Sequence, residues 1–150
     1  MARLTVNARR NGPALDIGSL YLSDATISDA LHAGGELLAT KTRAAAENLS
    51  TRGRKSKKSG FKSYKTGETA RSVALEYNTR RKTQIEVTFK GERKRGRTTT
   101  RNGAIAFYNE YGVKSHGTPA RNWIKNTNNA NEAAVVEAMA AVVFKEDNNA

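Results

Sequence analysis

The stretch from Ala104 to Ile124, AIAFYNEYGVKSHGTPARNWI, holds Phe107, Tyr108, Tyr111 and Trp123, four of the ten aromatic residues in the chain. Each such ring can bury a large apolar area, and tyrosine and tryptophan keep a directional polar handle. A surface loop needs no such density. The stretch is therefore a packing centre, an interaction surface, or both. Within it, Glu110 stands as an exposed acid on a short helix or pairs with Arg121 across the following loop. Trp123, a few residues after Pro119, is expected to plug a core.

The core available to such a plug is modest. A chain of 150 residues fits one domain, large enough to bury roughly two-thirds of its unfolded surface. Its 37% apolar content and mean hydropathy of −0.68 point to long polar loops and to stability borrowed from neighbouring subunits. Cysteine is absent, which excludes disulfides, thiolate metal sites and thiol catalysis. No apolar run reaches the length of a membrane helix or a signal-peptide core, so a soluble protein made in a cytosol is expected.

The net charge of +12 is concentrated. Between Arg52 and Arg101 lie 17 basic and four acidic residues, and the rest of the chain carries a net charge of −1. Loops with an assigned place fit that distribution better than general coating of nucleic acid does. Two segments hold most of the cations. The first, over 50–65, includes Arg52, Arg54, Lys55, Lys57, Lys58 and Lys62. The second, over 91–103, includes Arg93, Lys94, Arg95 and Arg97. Both are expected to be basic loops facing DNA phosphates or acidic partner surfaces. Phe61 and Tyr64 in the first are placed to dock on a neighbour or to stack on bases.

Around these loops the periodicity predicts an α+β fold. Residues 1–22, interrupted by Asn11-Gly12-Pro13, read as an extended arm offering Leu15, Ile17, Leu20 and Leu22 for docking. Ser23 or Asp24 caps a long amino-terminal helix whose apolar face runs through Ile27, Leu31, Gly34, Leu38, Ala45 and Leu49. Gly34-Gly35 marks a kink or a close backbone contact in that helix. A helical turn over Gly67–Ser72 precedes strands over Val73–Thr79 and Gln84–Lys90, joined at Arg80-Arg81-Lys82. In the second strand Ile85, Val87 and Phe89 alternate with Glu86, Thr88 and Lys90, the period of a half-buried strand. Ile105–Tyr111 fits a helix or a strand equally. A carboxyl-terminal helix over Asn131–Lys145 carries Val135, Ala138, Met139 and Val142 on one face.

Catalytic chemistry finds no support in the pattern. His32 and His116 are far apart and lack a neighbouring nucleophile, and no carboxylate cluster has metal-ligand spacing. Glu92-Arg93-Lys94 matches only a fragment common by chance, in a charged loop that cannot support a metal-dependent cleavage site. No phosphate-cradling glycine loop is present. No catalytic residue, metal or cofactor is expected.

Tyr108, Glu110, Tyr111 and Gly112, followed after a short polar loop by Pro119, Ala120, Arg121, Trp123 and Ile124, form a pattern similar to that of the small neck proteins of long-tailed phages. These are the tail-completion and head–tail joining proteins. Thr66-Gly67-Glu68 followed by Ala70-Arg71-Ser72-Val73 resembles an upstream element of the same family. Members often carry Pro-Phe-Leu and a further Arg-Pro where this chain has Asn122-Trp123-Ile124-Lys125-Asn126.

The resemblance implies a structural virion protein, made in the host cytoplasm. It would form a homo-oligomeric ring, six subunits being the expected order, at the head–tail junction. Its partners would be other neck and tail proteins, with non-specific contact to genomic DNA and none to a membrane. Phe107, Tyr108, Glu110, Tyr111, Pro119, Arg121 and Trp123 would serve subunit or core packing. The competing expectation is a free basic nucleic-acid-binding protein.

Overall fold

A computed structural model describes residues 4–7, 23–49, 67–77, 84–117 and 119–147 of the chain. The fold is α+β: two long helices, a small antiparallel sheet, and a separate two-stranded hairpin leading into a short helix. Among the described residues, no helix is long and apolar enough to cross a membrane.

The first long helix, α1, spans Asp24–Asn48. Ser23 caps it, its Oγ accepting from the Thr26 N–H at 3.0 Å and satisfying one of the unpaired donors of the first turn. The glycine pair is a double contact. A Cβ on Gly34 would sit 2.7 Å from Met139 Cγ, and one on Gly35 would sit 2.6 Å from Ile85 Cγ2. Gly34 thus lets the last helix approach, and Gly35 lets the sheet approach. The long helix α1 is the middle layer between them.

A four-residue helix, α2 (Glu68–Arg71), precedes β2 (Val73–Tyr77), as the sequence suggested. The three-stranded sheet has the order β1-β3-β2, with β1 at Leu4–Asn7 and β3 at Gln84–Phe89. Both pairings are antiparallel, with Leu4 and Leu75 opposite Val87. Part of the expected extended arm is therefore an edge strand, while Leu15, Ile17, Leu20 and Leu22 lie outside the described residues, as does the Arg80-Arg81-Lys82 turn. Central position explains why β3 departs from simple alternation. Ile85 and Val87 are fully buried under α1, and Gln84 and Glu86 are buried as well.

Segment 91–103, expected to be a loop, is instead β4 (Glu92–Arg95), a two-residue turn, β5 (Thr98–Arg101) and the start of α3. Gly96 supplies the positive φ of 58° that a tight hairpin turn needs, and three consecutive threonines supply the returning strand. The ambiguous Ile105–Tyr111 segment is helical, within α3 (Asn102–Tyr111). A 3-10 turn, Lys114–His116, follows.

The last helix, α4, spans Trp123–Asp147, beginning eight residues before the expected Asn131. At about 1.5 Å per residue it is about 37 Å long. The core joins Leu38, Ala39 and Ala46 of α1 to Val73, Val87, Ala106, Trp123, Ile124 and Val135.

Candidate interaction surface

Glu110 explains both where α4 begins and how α3 is held. Its carboxylate is buried, 4% exposed, and points at the amino end of the next helix. Oε2 accepts from the Ile124 N–H at 2.7 Å and Oε1 from the Lys125 N–H at 3.2 Å. Two orphan donors of α4 are thus satisfied by a negative charge at the positive end of its dipole. The side chain does not make the alternative bridge to Arg121. Arg121 instead donates its backbone N–H to the Asn109 and Glu110 carbonyls, and Asn122 donates to the Glu110 carbonyl at 3.0 Å. Asn122, at φ 49°, turns the chain into the helix.

Trp123 completes the buried side. It is 6% exposed, meets the Phe89 ring edge-on at 5.8 Å, and directs its indole N–H to the Ala106 carbonyl at 3.4 Å. The expected core plug is what the structure contains. Pro119 is exposed and Arg121 half-buried in the connection.

The opposite side of α3 faces outward. Phe107, Tyr108 and Tyr111 are 40%, 48% and 60% exposed. They touch one another, with the Phe107 and Tyr111 ring centroids 4.6 Å apart. Tyr111 lies three residues after Tyr108 and four after Phe107, the spacings that share a helical face. An open groove of about 700 Å³ runs beside them, lined by Phe89, Gly103, Ala104, Phe107 and Tyr108. Its charged rim holds two pairs, Lys90 with Glu76 at 3.2 Å and Arg101 with Glu92 at 3.7 Å.

The hairpin beside the groove divides its cations. Arg93 is tied down: its Nε lies 2.8 Å from Asn102 Oδ1 and 2.9 Å from Glu68 Oε2, and its Nη2 donates to Thr69 Oγ1. Asn102 in turn donates to the Lys90 carbonyl at 2.9 Å. Arg93 therefore fastens the hairpin to α2, and it is removed from the set of residues expected to face a partner. Lys94 and Arg97 are exposed on the hairpin; Arg95 belongs to β4, without a described side chain. Arg52, Arg54, Lys55, Lys57, Lys58 and Lys62 lie outside the described residues.

His32 is exposed on α1 and stacks on Tyr77 at 5.8 Å. Among the described residues no three His, Cys, Asp or Glu side chains are grouped to hold a metal ion. The fastening role of Arg93 and the capping role of Glu110 are what sequence reasoning missed at positions it had named. The signal for Glu110 was an acid placed ahead of a helix that lacks its own acidic first turn. No family model, curated protein or solved structure matches the chain.

Proposed function

We propose that this chain is a structural neck protein of a long-tailed phage, joining the capsid connector to the tail tube as a ring around the DNA channel. One observation carries the reading: the segment that resembles the neck family presents three adjacent exposed aromatics on a helix fixed from behind by Glu110 and Trp123. Clustered aromatics on a rigid support are what a protein-binding hot spot requires. A ring would supply the cover, because a head-to-tail contact whose rotation closes gives every subunit a neighbour on both sides.

The protein works by docking and by lining a channel, with no bond chemistry and no cofactor. Lys94 and Arg97 on the hairpin, with the cations of 50–65, supply positive charge towards DNA or adjoining acidic rings.

Electron microscopy of the purified protein, with and without phage tails, tests the reading. Rings, or density capping the tail end, are the expected outcome. A dispersed monomer that ignores tails and shifts DNA at physiological salt would instead identify a free nucleic-acid-binding protein.

A further inference from the structure

The ribbon formed by β4 and β5 contains no wholly apolar side chain: residues 92–101 read ERKRGRTTTR. A two-stranded hairpin is marginal by itself and gains independent stability from an apolar face packed on something. This one is held instead at its base. Arg93 is bound to Glu68 and Asn102. Asn102 spans the root of the hairpin, its backbone N–H donating to the Gly91 carbonyl at 3.0 Å and its Nδ2 to the Lys90 carbonyl at 2.9 Å. The tip stands clear: a Cβ on Gly96 would meet no described atom within 4 Å, and Lys94, Arg97, Thr98 and Thr99 are exposed. Packing therefore does not set the composition of the outer half of the ribbon.

We propose that this ribbon is the DNA contact of the protein, holding the phosphates of a duplex through cation and hydroxyl pairs without reading its sequence. The proposal deepens the neck reading above, on which it rests for a duplex running through the ring, and it chooses DNA over an adjoining acidic protein.

The register supplies the donors in pairs. Lys94 lies opposite Thr99 and Arg95 opposite Thr98 in the antiparallel ladder, so a cation and a hydroxyl residue stand within about 5.5 Å at Cα. Both residue types donate to phosphate oxygens, contacts that carry no base information. Alternation along a strand puts Lys94 and Thr99 on the ribbon face opposite to Arg93, away from the anchoring contacts. Acidic compensation stops short of this end. Glu68 takes Arg93 and Glu92 lies 3.7 Å from Arg101, whereas Lys94 and Arg97 make no ion pair among the described residues. A protein partner would be met at an interface core depleted in charge and rich in apolar side chains, and the ribbon has none to offer. A phosphate backbone asks only for local positive charge and donors. A two-stranded ribbon is also narrow enough to lie along the major groove, about 12 Å wide.

Fluorescence anisotropy of the full chain on two labelled duplexes of unrelated sequence, between about 50 and 200 mM salt, tests the contact. The wild-type protein is expected to bind both equally, with affinity that falls steeply as salt rises. A Lys94→Gln, Arg97→Gln double variant should bind about tenfold more weakly at the low-salt end. It should also lower the slope of log K against log salt by about 1.8, about 0.9 for each lost phosphate contact. A Lys41→Gln, Lys125→Gln variant removes the same charge from exposed positions on α1 and α4 and should leave the slope unchanged. No binding by the wild-type protein, an unchanged slope in the hairpin variant, or the same loss in both variants would overturn the proposal. A hairpin variant that keeps the wild-type slope but no longer caps phage tails in the microscope would also overturn it, in favour of an acidic protein partner. The ring reading is judged separately. Rings with an unchanged slope would leave that reading standing without the DNA contact; a lowered slope in a protein that forms no rings and caps no tails would keep the contact and sink the ring.

Discussion

Glu110 and Tyr111 are neighbours in sequence, yet one is 4% exposed and the other 60% exposed. The two sides of α3 do different work. The inner side holds a carboxylate aimed at the α4 amino end, and Ala106 lies beneath Trp123. The outer side holds rings that touch mainly one another. The first side is buried in the core, and the second stays exposed. A single aromatic-rich stretch thus serves as packing centre and as surface, with the division running along the axis of a ten-residue helix.

Substitutions on the two sides should separate stability from assembly. Trp123→Ala should have the largest effect on stability, about 3–5 kcal/mol lost in urea unfolding, because a buried ring is exchanged for a cavity. An effect below about 1 kcal/mol would break the assignment of Trp123 to the core. Glu110→Ala should cost about 2–3 kcal/mol, since two helix donors lose a charged acceptor. Hydrogen exchange at Ile124 and Lys125 should accelerate in the same variant, which a generic loss of packing would not confine to those amides.

Gly35→Ala should destabilise by about 1–3 kcal/mol, because the added methyl meets the branched, fully buried Ile85. Gly34→Ala should cost less, since flexible Met139 can yield and alanine favours the helix by about 1 kcal/mol. Equal losses would mean that α4 is as rigid a neighbour as the sheet. Tyr108→Ser should have the smallest effect, within about 0.5 kcal/mol by thermal melting, as expected for a solvated surface position.

Legibility in the sequence follows the same division. The α1 start, the short α2 turn and both β2 and β3 were readable because a cap, a turn glycine and alternating apolar residues are local signals. The early start of α4 was not, because its cap comes from Glu110, thirteen residues before Trp123 in the chain and adjacent only after folding. The hairpin was hidden for a different reason. Cations dominated 91–103, although Gly96 and the threonine run held the strand signal. Arg93 shows the limit most clearly: in sequence it is one cation among several in 91–103, and only Glu68, Thr69 and Asn102 brought together by the fold give its guanidinium a structural role. The outer face of α3 was legible only as a choice between packing centre and interaction surface, because an aromatic-rich helix reads the same either way until the core is full.

The most direct measurement compares the wild-type protein with a Phe107→Ser, Tyr108→Ser, Tyr111→Ser triple variant by electron microscopy, with melting curves taken on the same samples. Wild-type rings, absent from the triple variant at an unchanged melting temperature, are the expected result. Rings that persist in the triple variant, or a wild-type protein that forms none and caps no tails, would contradict the assignment of this aromatic face to assembly.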